Sequence, residues 1–239
     1  MDPRTSVIEE RLKNVKRIIA VSGGKGGVGK SLTSSLMALS LSGMGYKVGL
    51  LDLDFSGPSD HLILGIKYTQ PQFQPKEDRG ITPPEVYGIK FLSLIYYAGE
   101  NPSPLRGADI SNIIKEILCI TRWESLDVLI IDMPPGMGEA VLDSIRLFKR
   151  IEFLVVTTPS RVSLGTVKKF IKLLEDFKIP LIGVIENMKI SDSTKDEFEK
   201  DFLGSIKFDM DLEKAIGDPE KLMSTKFSME LRKILEKIF

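Results

Sequence analysis

From Ser22 the chain reads Ser22-Gly23-Gly24-Lys25-Gly26-Gly27-Val28-Gly29-Lys30-Ser31, in which glycines, lysines and a final hydroxyl fall at the spacing G-x-x-x-x-G-K-[ST]. Glycines let the backbone curl until successive N–H groups face inward, and the positive end of a following helix adds its attraction for phosphate oxygens. Lys30 then serves as a point charge on the β- and γ-phosphates of a nucleoside triphosphate, and Ser31 offers its hydroxyl to Mg²⁺. The expected phosphate cradle runs through Gly24, Lys25, Gly26, Gly27, Val28, Gly29, Lys30, Ser31 and Leu32. It carries a second lysine, Lys25, inside the loop.

Two more segments place acids after apolar runs. Asp52-Leu53-Asp54 ends the run from Val48 and leads into Phe55-Ser56-Gly57-Pro58-Ser59. Asp52 is expected beside the metal, and Asp54, on the departing loop, is expected to orient the attacking water; either could instead cap the turn. Val128-Leu129-Ile130-Ile131-Asp132 leads into Met133-Pro134-Pro135-Gly136. Asp132 is expected in the Mg²⁺ shell, directly or through water, while the N–H of Gly136 senses the γ-phosphate on a loop stiffened by two prolines. The expected metal residues are therefore Ser31, Asp52 and Asp132.

Such residues need a scaffold that gathers several strand ends. Short apolar runs alternate with amphipathic segments, which predicts an α/β fold with a mainly parallel sheet flanked by helices. Strands are expected at Arg17–Val21, Val48–Leu53, Ile89–Leu94, Val128–Asp132, Phe153–Thr157, Leu181–Glu186 and Ser205–Phe208. Helices are expected at Leu32–Met44, Asp109–Thr121, Glu139–Phe148, Ser163–Phe177 and Met229–Ile238. Residues 1–16 read as a helical extension, charged from Ser6 to Lys16 and outside the sheet, and Tyr68–Tyr87 as a long surface loop. The length of 239 residues suits a single domain of this class.

With 33 basic and 33 acidic residues the formal net charge is zero, so no global field draws the chain to nucleic acid or anionic lipid. One cysteine, no signal-peptide core and no bilayer-length apolar run point to the cytoplasm.

These motifs together resemble the deviant phosphate-loop ATPases, and among them the Mrp/ApbC-like iron–sulfur cluster carriers, relatives of MinD and ParA. The likeness is carried by the loop Gly23–Ser31, by Asp52-Leu53-Asp54 with Gly57-Pro58-Ser59, and by Arg106-Gly107 and Trp123–Leu126. Asp132-Met133-Pro134-Pro135-Gly136, Thr157-Thr158-Pro159 and Glu186-Asn187-Met188 complete it. The resemblance implies ATP and Mg²⁺, a homodimer enclosing two nucleotides, slow hydrolysis used as a switch, and an unidentified protein client. It also implies that Lys25 reaches the partner's phosphates in trans, and that Asn187 contacts the adenine. Lys25, Lys30 and Asp54 are then the catalytic set.

One departure matters for cargo. Cluster carriers of this family have a Cys-x-x-Cys pair shortly after the Glu-Asn-Met segment; here the chain reads Lys189-Ile190-Ser191-Asp192-Ser193-Thr194-Lys195. No iron–sulfur cluster is expected on this chain alone. Cys119, within Ile117-Leu118-Cys119-Ile120, supplies one sulfur and is expected to be buried. Lys207 stands where relatives have proline, which weakens an adenine-side role for Phe208 or Asp209. The two functional expectations are an assembly or carrier factor linked to iron–sulfur metabolism, and a MinD/ParA-like nucleotide-gated positioning or scaffold ATPase. His61 is read as a packing or surface residue rather than a base, and Trp123 as a packing residue. The apolar stripe Phe227, Leu231, Ile234, Leu235 and Ile238 is read as core packing rather than a membrane-surface helix.

Overall fold

The computed structural model describes residues 2–55, 57–98, 107–136, 138–190 and 194–239. The chain runs through α1 (Arg4–Leu12), β1 (Val15–Gly23), α2 (Lys30–Gly43), β2 (Val48–Asp52) and α3 (Asp60–Ile63). Three short strands follow, β3 (Lys76–Glu77), β4 (Ile81–Thr82) and β5 (Glu85–Val86), then β6 (Ile89–Ser93), α4 (Ile95–Ala98) and α5 (Gly107–Ile120). The second half is β7 (Leu126–Asp132), α6 (Glu139–Leu147), β8 (Ile151–Thr157), α7 (Arg161–Asp176), β9 (Leu181–Lys189) and α8 (Lys195–Phe198). It ends with β10 (Phe202–Lys207), α9 (Pro219–Met223) and α10 (Lys226–Leu235).

Eight strands form one sheet in the order β10-β9-β8-β1-β7-β2-β6-β5, parallel throughout except for β5 against β6. All seven strands expected from the apolar runs are present. The central strands are buried on both sides, so their side chains divide by alternation. Ile18, Ala20, Leu129, Ile131, Phe153 and Val155 face a core closed by α1, α5, α6 and α7. Ile19, Val21, Val128, Ile130, Leu154 and Val156 face the other, closed by α2, α9 and α10.

Three expectations change. The N-terminal extension is shorter than 1–16: α1 ends at Leu12, and Val15 and Lys16 already belong to β1. Nor does it stand apart, because Ile8 and Leu12 are buried against α5 and the Nε of Arg11 donates to the Cys119 carbonyl at 3.0 Å. The stretch Tyr68–Tyr87 is not wholly surface loop: it holds the β3–β4 hairpin and edge strand β5, and Ile81 and Val86 are buried. Two-residue strands carry too little alternation to be seen in sequence. Cys119 is half-buried rather than enclosed, and its thiol donates to the Arg4 carbonyl at 3.5 Å.

The C-terminal stripe is spent on the core. Phe227, Leu231, Ile234 and Leu235 are buried beneath α10, which packs on α2 and β10, while Arg232 and Lys233 face outward. Thr225 caps the helix through its Oγ1, which accepts the Ser228 N–H at 3.2 Å. Among the described residues no helix is long and apolar enough to cross a membrane. Leu231 is fully buried, so Leu231→Ala should lower unfolding stability by about 2–5 kcal/mol in urea denaturation. A midpoint equal to wild type would mean that α10 is not part of the cooperative core.

Candidate functional site

In a parallel sheet every strand delivers its carboxyl end to the same edge, and here register aligns three of those ends. Asp132 is the register partner of Asp52 on one side and of Val21 on the other. Two residues beyond Val21 the chain leaves β1 at Gly23, and it re-enters regular structure at Lys30, the first residue of α2. The loop therefore arches directly over two acids.

Gly29 makes the turn into α2 with φ +87°, and a Cβ there would lie 2.2 Å from the Asn187 Nδ2. Glycine is required by both backbone and space. Val28 is buried, and its carbonyl accepts from the Asn187 Nδ2 at 2.9 Å, while the Asn187 Oδ1 accepts the Met188 N–H at 2.7 Å. Asn187 thus pins the loop to β9. Lys25, Gly26 and Gly27 are exposed, and the Lys25 side chain makes no hydrogen bond or ion pair with the described residues. Leu32, in the first turn of α2, is half-buried against the α2-side core.

Beneath the loop the charges meet. The buried Lys30 Nζ donates to the Asp132 Oδ2 at 2.7 Å, the Ser31 hydroxyl donates to the same oxygen at 2.7 Å, and the Ser34 hydroxyl donates to Oδ1 at 2.8 Å. Asp54 also approaches the ammonium, its Oδ2 3.9 Å from Nζ. Its backbone N–H donates to the Asp52 Oδ1 at 3.0 Å, and Ser93 donates to the Asp52 Oδ2 at 3.1 Å. Gly136, at φ +86°, donates its N–H to the Gly23 carbonyl at 3.3 Å, tying the loop after β7 to the end of β1. Arg106 and residues 191–193 lie outside the described residues.

The structure thus gathers Lys30, Ser31, Asp52, Asp54 and Asp132 into one corner, with Gly136 and Asn187 bracing the loop and Lys25 at its tip. It adds residues that motif reading missed. Ser34 and Ser35 lie on the face of α2 one turn beyond the loop, where serines in a helix give no sequence signal of their own. Asp60 is fully buried, with Oδ1 accepting from the Ser35 hydroxyl at 2.8 Å. An acid opening the apolar run Leu62-Ile63-Leu64 was the available hint. His61 is buried edge-on against Tyr68, and Trp123 is fully buried, both as packing residues.

One oxygen each of Asp52, Asp60 and Asp132 lie within 4.8 Å of one another. Burial pushes the Asp52 carboxyl up to about 7, helped by the Asp132 charge. Asp60 is raised by burial and then by Asp132 and Asp52, and Asp132 is raised by burial against the pull of the Lys30 ammonium. The donor set, all oxygen and anionic, suits a hard divalent cation such as Mg²⁺.

A glycine-rich loop between a strand and a helix, lysine and serine at the helix start, and an acid ending the adjacent strand define a phosphate-loop nucleotide-binding protein. Residues 14–205 match the ParA family described as NUBPL iron-transfer P-loop NTPase, and the chain belongs to that family. It is 36% identical over 254 residues to an iron-sulfur cluster carrier protein of Methanocaldococcus jannaschii, covering 97% of this chain and 87% of that one. It is 41% identical over 184 residues to another of Aquifex aeolicus, covering 75% of this chain and 49% of that one. This chain therefore matches only about half of the Aquifex protein's length. Among solved structures, a nucleotide-binding protein of Archaeoglobus fulgidus in complex with ADP superposes with a TM-score of 0.75, at 29% identity and 95% and 96% coverage. The septum site-determining protein MinD of Pyrococcus horikoshii, complexed with Mg-ADP, shares the fold at a TM-score of 0.69 and 19% identity, with 93% and 95% coverage.

An acid held above its ordinary 3.8 binds its proton more tightly in the fold, so its contribution to stability declines as pH rises toward about 7. Asp52→Asn removes that decline. In EDTA and without nucleotide, the variant should melt higher than wild type at pH 8, and the difference should shrink as pH falls through 7. A pH-independent difference in calorimetric melting would contradict an Asp52 carboxyl raised by burial.

Proposed function

We propose that this protein is a Mg-ATP-binding and ATP-hydrolysing switch that works as a homodimer, serving as an assembly or carrier factor in iron–sulfur metabolism. The observation that carries this reading is the cluster of Lys30, Ser31 and Asp132 under the glycine loop, with Asp54 3.9 Å from the ammonium. Lys30 and Ser31 are held ready by Asp132, and phosphate oxygens entering the loop offer Lys30 a stronger set of acceptors than one carboxylate. Mg²⁺, when bound, neutralises charge on the β- and γ-oxygens. Asp132, relieved of Lys30, keeps Ser31 oriented, and Asp52 sits beside it as a further oxygen donor. Asp54 accepts a hydrogen bond from the attacking water and aligns it. Gly136, whose N–H rests on the Gly23 carbonyl, is placed to exchange that acceptor for the γ-phosphate.

Lys25 lies exposed at the loop tip, as a residue that completes the partner's site must. Asn187, tied to the loop through Val28, is on this reading the residue that meets the adenine. The family's cargo is not held by this chain's own thiolates: a [4Fe–4S] cluster takes about four, and a dimer brings two copies of the one cysteine. Burial also pushes the Cys119 thiol up, away from the reactive thiolate. The cysteines for any cluster therefore belong to a client protein, met in the cytoplasm. The buried α10 stripe speaks against a membrane-surface role for that helix.

Calorimetry tests the nucleotide site. Lys30→Ala should weaken Mg-ATP binding at least about 100-fold, roughly 2.7 kcal/mol, whereas Asp54→Ala should keep the affinity and lose hydrolysis by roughly 10²-fold or more. Equal binding by wild type and Lys30→Ala would overturn the reading.

Sedimentation velocity tests the dimer. On an Asp54→Ala background, ATP should give more dimer than ADP, and Lys25→Ala should erase most of that difference. Dimerisation indifferent to the nucleotide would remove the switch.

A further inference from the structure

Asp60 has no place in the phosphate-loop reading, yet it is buried in the same corner. It follows the Gly57-Pro58-Ser59 segment, opens α3 and has no solvent exposure. Its Oδ1 is satisfied by Ser35, but Oδ2 is buried with no hydrogen-bond partner among the described residues. A bare carboxylate oxygen away from water is costly unless a proton or a cation meets it.

The charge balance of the corner gives the size of the deficit. Asp52, Asp60 and Asp132 are fully buried and lie together, and the ammonium paired with them is Lys30, bound to Asp132. With all three ionised, two negative charges remain among the enclosed acids, which one divalent cation cancels, while Asp54, also 3.9 Å from Lys30, adds a further one at the more open edge. Distances agree: ligand oxygens about 2.0–2.6 Å from Mg²⁺ or Ca²⁺ stand between about 3 and 5 Å from each other, and the three acids present oxygens within 4.8 Å. The Asp52 and Asp132 oxygens are already aimed by Ser93, Ser31, Ser34 and the Asp54 N–H, so the corner needs little reorganisation to accept an ion.

We propose that Asp60 turns the metal side of the phosphate loop into a three-carboxylate site, Asp52, Asp60 and Asp132, that takes one divalent cation before any nucleotide arrives. The inference rests on the reading of this loop as a Mg-ATP site, and it adds an order of events: the cation is resident, and the triphosphate comes to a corner whose three enclosed acids already share it.

The test uses the full chain, stripped with EDTA and free of nucleotide, titrated with Mn²⁺ while the free-ion signal is followed by electron paramagnetic resonance. Wild type should bind one Mn²⁺ per chain, displaced by Mg²⁺, and Asp60→Asn should bind it at least tenfold more weakly. Mn²⁺ should also raise the wild-type melting temperature without nucleotide, a readout that holds even if the variant does not fold. A wild type that binds Mg-ATP but takes up no Mn²⁺ alone overturns this inference and leaves the ATP reading intact. Stoichiometric Mn²⁺ without any Mg-ATP binding does the reverse. Asp60→Asn binding Mn²⁺ as tightly as wild type would overturn the role of Asp60.

Discussion

The structure turns on the contact between the Lys30 ammonium and the Asp132 carboxylate, 2.7 Å apart and nearly closed to water. Removing either partner from such a pair leaves a buried charge uncompensated, at a cost of about 3–5 kcal/mol. The pair also spans 102 positions of chain, joining the start of α2 to the end of β7. In the absence of phosphate it holds the lysine where a phosphate will need it. Binding then hands the lysine from one anionic partner to another, and the charge left on Asp132 is one that a divalent cation meets.

That contact exists because of how the sheet is ordered. β7 lies between β1 and β2, so Asp132 has the phosphate loop on one flank and Asp52 on the other. Parallel strands buried on both faces tolerate little sliding, since a one-residue slip would turn every apolar side chain toward the wrong core. Register is thus fixed by packing, and packing far from the site sets the spacing of its acids. Asn187 extends the same control to β9, gripping the Val28 carbonyl across 159 positions.

The chain belongs to the iron-transfer P-loop NTPases and has a single cysteine, half-buried between α5 and the start of α1. On the proposed reading, the nucleotide machinery stays with this chain and the soft ligands lie with a client. Thiolate ligation and phosphate binding are separable because they use different atoms on different loops.

Much of the protein was set by local pattern. Apolar runs marked the seven main strands, because strands buried on both faces have no other way to read. The glycine, lysine and serine spacing marked the loop, because the backbone geometry that cradles phosphate admits few residues. Tertiary structure alone decided the rest. Asp60, Ser34 and Ser35 look like an ordinary turn acid and helix serines until α2 and α3 are packed over the strand ends. The two-residue strands in Tyr68–Tyr87 form only where a neighbour supplies their hydrogen bonds. The first residues dock on α5 because Ile8 and Leu12 find apolar partners more than a hundred positions away. Sequence determines what each residue offers over a few neighbours; which charges share one dry corner depends on contacts between distant segments, and those follow from the folded sheet.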